Sequence, residues 1–139
     1  MAGQKHRIIR LKGRSRCAFT NTSKLCDEEI KTALRAVHSK LSLDRVVVHF
    51  KTMGERRWSF GRAYAGIPSV MSRRGLSMDE WDYLITVAVD DDPIRWVHTL
   101  AHEAKHIDQY RHRQYRGRGR EAACNAFADW FMRECWSGA

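Results

Sequence analysis

The run His98-Thr-Leu-Ala-His102-Glu103-Ala-Lys-His106 decides how the rest of this chain is interpreted. Residues four apart on an α-helix lie on one face, so the imidazoles of His102 and His106 can reach one cation. Glu103 then lies beside that cation, where its carboxylate can act as general base toward a water molecule. The H-E-x-x-H pattern therefore predicts a metal-binding helix with two protein ligands, and a catalytic zinc site needs a third.

The sequence before this run predicts that the helix follows a strand and rests on a sheet. Residues 83–89 are apolar and rich in β-branched side chains, which favours a strand. Asp92 is a natural helix N-cap, and Pro93 suits the first helical position because its missing N–H costs nothing there. One broad face of the helix is predicted to be buried, whereas His102 and His106 fall roughly opposite it and suit a cleft. The predicted buried residues are Ile94, Val97, Leu100, Ala101, Ala104 and Ile107.

The remaining elements predict an α+β fold. A first strand is expected over 6–12 at a sheet edge, then a loop over 13–24 and a helix from about Asp27 to Leu41. A strand over 46–50, a hairpin partner over 58–64, a loop over 66–75 and a helical turn over 77–80 follow. Residues 1–139 are predicted to form a single domain with a small, mostly antiparallel sheet, with residues 1–5 as candidates for disorder. The aromatic residues predicted to lie in the core are Trp81, Trp96, Phe127, Trp130 and Phe131.

Two residues compete as the third metal ligand, and His112 is the first. It stands six residues after His106, the spacing of the pattern H-E-x-x-H-x-x-G-x-x-H, in which a glycine breaks the helix. Gln109 occupies the glycine position here and is a good helix former. A helix that continues past Gln109 turns His112 roughly 120° away from His106 around the axis, which disfavours a shared ion.

Glu121 is the better candidate. The Gly- and Arg-rich stretch 115–120 predicts a loop, after which a second helix begins at Glu121. Glu121, Asn125 and Asp129 repeat at four-residue spacing and form a polar stripe, whereas Cys124, Phe127, Ala128 and Phe131 form an apolar one. A carboxylate on the first turn of this helix can complete a ligand set with His102 and His106. Asn125 or Asp129 is predicted to orient a ligand histidine by a hydrogen bond.

These motifs resemble those of the gluzincin metallopeptidases, whose third ligand is a Glu on a later helix, and are closer to those of the ImmA/IrrE-like group. That group's L-A-H-E-x-x-H is matched by residues 100–106, and its E-x-x-A-N-x-F-A by Glu121, Asn125, Phe127 and Ala128. The resemblance covers roughly residues 83–132. Cys124 departs from it by standing where Ala is usual, and Lys105 by standing where a small residue is usual.

The resemblance implies a zincin-like endopeptidase that acts on a peptide or protein substrate. It implies one zinc ion per chain, held by His102, His106 and Glu121, with Glu103 as the general base. Such sites often also require a donor to the oxyanion. His98, one turn before His102, is a candidate, as are Tyr110 and Tyr115; a half-exposed surface histidine and packed tyrosines are the alternatives.

Charge and composition define the other possible functions. The chain has 25 Lys+Arg against 16 Asp+Glu, a net charge of +9, which either attracts acidic partners such as nucleic acid or is simply solvated. A DNA-associated metalloprotease resembling the SprT-like group, with His as third ligand, and a non-catalytic basic binding module with a relict metal site are therefore alternatives. No apolar run is long enough to span a bilayer, so a cytoplasmic monomer with free thiols is expected. The basic clusters are Lys5, Arg7, Arg10, Lys12, Arg14 and Arg16, then Arg111, Arg113, Arg116, Arg118 and Arg120.

Overall fold

The structure, a computed structural model, describes residues 6–13, 16–54, 60–113 and 119–136. Residues 1–5, the first part of the predicted strand over 58–64, and Tyr115 lie outside these ranges. The described residues form an α+β domain of four helices and five strands. In chain order the elements are β1 (Ile9–Arg10), β2 (Cys17–Asn21), α1 (Asp27–His38), β3 (Val46–Thr52), β4 (Gly61–Ala65), α2 (Ser69–Ser72), β5 (Tyr83–Val89), α3 (Arg95–Arg111) and α4 (Arg120–Glu134).

The sheet is mixed, so the prediction of a mostly antiparallel sheet is wrong. Its strand order is β1-β2-β3-β5-β4; β2, β3 and β5 run parallel, and only β1 and β4 at the two edges are antiparallel. The predicted loop over 13–24 contains β2, and α1 then supplies the crossover that a parallel neighbour requires. The predicted hairpin between β3 and β4 is also wrong, because β4 pairs with β5.

The strands divide their side chains between two faces of the sheet, because successive residues of a strand point in opposite directions. Val46, Val48 and Phe50 belong to the core under the larger helices, whereas Val47 belongs to a smaller core on the other side. We call the first side the helix face, since α1, α3 and α4 pack there, and the second the opposite face. The opposite face is covered by α2 and the segment up to Trp81.

The predicted helix faces are largely confirmed. Five of the six apolar positions predicted on α3 are buried, and Ile94 is the exception at 47% exposure. The reason is that α3 begins at Arg95, after a turn, so Ile94 lies before the helix proper. Ile94 is the N-cap, so the prediction of Asp92 as N-cap and Pro93 as first helical residue is wrong. The Oδ1 atom of Asp92 accepts hydrogen bonds from the backbone N–H groups of Ile94 at 3.0 Å and Arg95 at 3.1 Å in the turn before the helix.

The aromatic predictions are confirmed for three of the five residues. Trp81, Trp96 and Phe131 are buried, Phe127 is partly buried against the core, and Trp130 is exposed. The short helix α2 lies inside the predicted loop over 66–75. Among the described residues, no helix combines the length and the apolar character needed to cross a membrane.

Candidate metal centre

Helices α3 and α4 bring two imidazoles and one carboxylate together. The Nε2 atom of His106 lies 2.5 Å from Oε2 of Glu121, and the Nε2 atom of His102 lies 3.2 Å from Oε1 of the same side chain. Both ring nitrogens are therefore directed at one carboxylate. With Sγ of Cys124, these potential ligand atoms all lie within 4.8 Å of one another. The structure thus gathers the three ligands expected from the sequence and adds a fourth donor.

Local backbone geometry explains how α4 presents Glu121. Gly119 precedes the helix with φ of 89°, a left-handed conformation that glycine adopts without the steric cost of a Cβ. The chain enters α4 at Arg120 directly afterwards, so Glu121 lies in the first turn, facing the histidines of α3.

Gln109 contacts the cluster in a way that the sequence interpretation missed. Its Oε1 lies 3.1 Å from Nδ1 of His106, and its Nε2 donates to the carbonyl oxygen of Arg120 at 3.0 Å. Metal-binding histidines generally donate the second ring N–H to an acceptor, which fixes the tautomer and the ring orientation. Gln109 therefore connects His106, a candidate ligand, to the start of α4. The available signal was its position three residues after His106, which puts both on one helix face.

Glu103 is buried beside the cluster. Its Oε1 lies 3.9 Å from Nε2 of His102, and its Oε2 has no hydrogen-bond partner among the described residues. Burial raises the pKa of Glu103 to about 7; the negative charge of Glu121 adds to this shift and the guanidinium of Arg62 opposes it. A buried oxygen without a partner is costly unless a further group binds there, so this carboxylate fits a site that takes a ligand.

A glycine allows the edge strand to pass close to this carboxylate. A Cβ added at Gly61 would lie 2.5 Å from Cγ2 of Thr99, 2.7 Å from the carbonyl oxygen of Thr86 and 3.4 Å from Cγ of Glu103. Any larger residue would therefore push β4 away from α3. Gly61 keeps the strand against the helix that carries His102, Glu103 and His106.

An open cavity of about 260 Å³ gives access to the cluster. His98, a candidate from the sequence, lines it with a partly exposed side chain, and its Nε2 lies 2.8 Å from Oδ1 of Asp129. Asp129 thus bonds to His98 rather than to a ligand histidine, and Asn125 lines the cavity. Tyr110 is not among the cavity residues; the guanidinium of Arg120 lies 5.8 Å from its ring centroid. The lining residues are Phe60, Gly61, His98, Thr99, His102, Glu103, Glu121 and Asn125.

His112, the competing third ligand, lies away from the cluster. Its Nδ1 is 2.8 Å from the carbonyl oxygen of Asp108 and 3.3 Å from the carboxylate of the same residue. Because α3 continues through Arg111, the helix carries His112 around the axis from His106, in agreement with the angular argument from the sequence.

Cys124 was expected only as an apolar residue of α4. It is fully buried, as are Ala128 and Phe131 of the same stripe. Burial raises the pKa of the Cys124 thiol to about 12, and the carboxylates of Glu121 and Glu103 add to the shift. Two imidazole nitrogens, a carboxylate and a sulfur are donors that suit zinc, so the residues present fit the predicted metal.

Three arginines of the predicted basic clusters contact other residues of the same chain. Arg10 pairs with Glu80, Arg111 donates to the carbonyl oxygen of Asp44, and Arg120 approaches Gln109 at 3.4 Å. Four residues of the two clusters lie outside the described ranges, namely Lys5, Arg14, Arg116 and Arg118. Nucleic acid as a partner therefore stays a prediction.

No family model, curated protein or solved structure matches the chain.

Proposed function

We propose that this chain is a zinc-dependent endopeptidase of the gluzincin type, similar to the ImmA/IrrE-like group. The supporting observation is the convergence of His102, His106 and Glu121 beside buried Glu103, where all but His106 line an open cavity. An H-E-x-x-H pattern that arose by chance would not require a carboxylate from a second helix at both ring nitrogens, nor a general base with an unpaired oxygen beside them.

His102, His106 and Glu121 would hold the metal, leaving one coordination position for a water or substrate oxygen. When bound, zinc supplies Lewis-acid polarisation of the scissile carbonyl and lowers the pKa of water toward about 7. By accepting a hydrogen bond from Nδ1, Gln109 would hold the His106 ring in the tautomer whose Nε2 can bind a metal.

Glu103 is the proton carrier in this proposal. Its carboxylate takes a proton from the attacking water and passes it to the leaving amine. Burial, which raises the pKa of this carboxyl, favours proton uptake, and general acid–base transfer is most efficient when the group titrates near the working pH. His98, held at the cavity by Asp129, is available as a hydrogen-bond donor to the oxyanion.

The edge strand β4 would hold the substrate in an extended conformation by β-augmentation. At the two ends of β4, the N–H of Ala88 donates to the carbonyl oxygen of Phe60, and the N–H of Gly66 donates to that of Asp82. The backbone N–H and C=O groups of the even-numbered residues of β4 therefore point toward β5. By the alternation of an antiparallel ladder, the N–H of Ala63 points away from β5 and toward that substrate. Ala63→Pro should therefore reduce cleavage while metal binding persists, and unchanged cleavage would contradict this role of β4.

The test of the proposed function combines metal analysis with peptide cleavage. Elemental analysis of the purified chain should find near one zinc per chain, lost in Glu121→Ala and kept in the matched control His112→Ala. Mass spectrometry of a mixed peptide library should detect cleavage that Glu103→Gln lowers by about 10²–10⁴-fold, the usual contribution of a general base. Glu103→Gln should retain its zinc, which separates the base from the ligands.

Other outcomes would favour the alternatives. Loss of zinc in His112→Ala alone would favour the SprT-like alternative and make the arginine clusters the next target. A folded chain that takes up no metal and cleaves no peptide would be a basic binding module.

A further inference from the structure

Cys124 lies one turn after Glu121 on α4, next to the proposed metal position. Its Sγ lies within 4.8 Å of the ligand atoms of His102, His106 and Glu121. With zinc bonds of about 2.0–2.3 Å, ligand atoms at the corners of a tetrahedron are roughly 3–4 Å apart. Small side-chain movements would therefore let the sulfur join the other three donors.

The four donors approach this position from different sides. The Glu121 side chain is 69% exposed, those of His102 and His106 are 16% and 14% exposed, and Cys124 is fully buried. The sulfur thus reaches the cluster from the interior, and Glu121 from the solvent side. Ala128, one turn later in the same apolar stripe, is also fully buried. An alanine side chain is therefore enough to pack α4 on α3, and packing does not require the sulfur of Cys124.

We propose that the Cys124 thiolate is a fourth protein ligand of the metal, so that the resting centre is closed by His102, His106, Glu121 and Cys124. The inference rests on the proposed function, since the first three residues must bind the metal. Sulfur beside imidazole nitrogen is a common zinc donor set. Four protein ligands are typical of closed zinc sites, whereas catalysis needs an open position.

Cys124 therefore acts as an internal inhibitor of the peptidase. Opening the centre breaks the sulfur–metal bond, an oxygen of water or substrate takes the vacated position, and the released thiolate takes a proton from solvent. This exchange changes no oxidation state and needs no other reactant. The peptidase is active only in the fraction of molecules in which the thiolate has left.

Cobalt substitution tests the sulfur ligand without an activity assay. Wild-type protein loaded with Co²⁺ should show the near-ultraviolet charge-transfer band of a thiolate bound to cobalt. Cys124→Ala should bind Co²⁺ and lose the band completely. Cys26→Ser is the matched control, because Cys26 is exposed at the start of α1, and it should keep the band unchanged.

X-ray absorption of the zinc-loaded wild type gives a second readout that requires no variant. One sulfur neighbour at about 2.3 Å should accompany nitrogen and oxygen neighbours at about 2.0–2.1 Å. A shell of nitrogen and oxygen alone would overturn the inference even if Cys124→Ala fails to fold.

The closed state can also be measured with acetohydroxamate, which competes for the fourth position. If the thiolate is absent from that position in about a tenth of molecules or fewer, Cys124→Ala should bind the probe at least about tenfold more tightly than wild type. Titration into the cobalt protein should also abolish the wild-type charge-transfer band.

The outcomes separate the two proposals. Cobalt binding without a charge-transfer band would overturn the role of Cys124 and leave the three-ligand centre standing. A band that survives in Cys124→Ala, or equal hydroxamate affinity in both proteins, would also overturn it. No metal uptake by any variant would instead remove the proposed function, and the inference with it.

Discussion

Each face of the sheet carries a pair of neighbouring histidines, and the two pairs have similar spacing. The ring centroids of His102 and His106 on the helix face are 5.0 Å apart, and those of His6 and His49 on the opposite face are 4.6 Å apart. Within the residues that the structure describes, the one group of donors close enough to hold a metal is on the helix face. The distance between two imidazoles therefore does not distinguish a metal site from a structural pair.

The charges around the two pairs make the difference. Glu121 and Glu103 adjoin the first pair, and anionic donors offset the charge of a bound cation. Arg74 and Lys51 adjoin the second, where burial lowers the pKa of His49 to about 4 and the nearby positive charges add to the shift. A cation on the opposite face would meet only further cations and neutral rings among these neighbours, so we expect that face to stay metal-free.

Zinc should stabilise the protein through the helix face alone, the largest effect that we expect. At free zinc about 1,000 times the dissociation constant, the free energy of unfolding should rise by about 4 kcal/mol, because only the folded chain presents the assembled site. His49→Gln should gain the same increment and Glu121→Ala almost none. Urea unfolding with zinc and with a chelator measures both. If His49→Gln lost this gain in the free energy of unfolding, the opposite face would also bind zinc, and the proposed difference between the two faces would be wrong.

The residues of the proposed metal centre were predictable from the sequence because they depend on local periodicity. His102 and His106 share a helix face by their four-residue spacing, and the likeness of the segment that begins at Glu121 to a known motif indicated the third ligand. The contacts of Gln109 and the position of Cys124 beside the cluster were missed, because each depends on how α4 packs against α3. Helical spacing describes one helix at a time and carries no information on that contact.

The fold shows the same limit. The strands over 46–50 and 83–89 were predicted from their continuous β-branched composition, and both form. β2 was missed because Cys17–Asn21 is short, contains Thr and Asn, and is flanked by polar residues. Parallel pairing was missed with it, since partners in a sheet are chosen by contacts distant in sequence rather than by the composition of either strand.

Removing the acceptor of Gln109 should weaken metal binding without removing a ligand. Gln109→Met has similar length but cannot accept the His106 Nδ1–H, so zinc affinity should fall about 10–100-fold, the usual effect of losing such a partner. Competition with a chromophoric chelator measures the affinity. His112→Ala, which changes a neighbouring histidine outside the cluster, should leave it unchanged; an equal fall in both variants would contradict the role of Gln109.

The substitution Gly61→Ala tests how closely β4 packs against α3. Gly61→Ala should lower the free energy of unfolding by about 1–3 kcal/mol, because the added Cβ would lie 2.5 Å from Cγ2 of Thr99. Gly54→Ala is the matched control, since a Cβ there meets nothing within 4 Å, and it should change stability by less than about 0.5 kcal/mol. Chemical denaturation of both variants would decide. Equal stability would mean that β4 can move away from α3 at no cost.

The smallest expected effect belongs to the opposite face and appears as a pH dependence. His49 has a pKa of about 4 in the folded chain, below its ordinary value of 6.5, so between these values the unfolded chain binds more protons. Stability from this residue is therefore complete above about pH 6.5 and is lost as the pH falls toward 4. Since each pKa unit is worth about 1.4 kcal/mol and salt screens the contribution of Arg74 and Lys51, the loss should be roughly 1–2 kcal/mol.

His49→Gln retains an acceptor for the Thr20 hydroxyl, whose oxygen lies 2.7 Å from Nδ1 of His49, but cannot take up a proton. Urea unfolding at pH 7 and pH 4.5, with a chelator present to exclude metal, should therefore show a shallower loss in His49→Gln than in wild type. Parallel losses would mean that His49 takes up a proton in the folded chain as readily as in the unfolded chain, and that burial and the nearby cations do not lower its pKa.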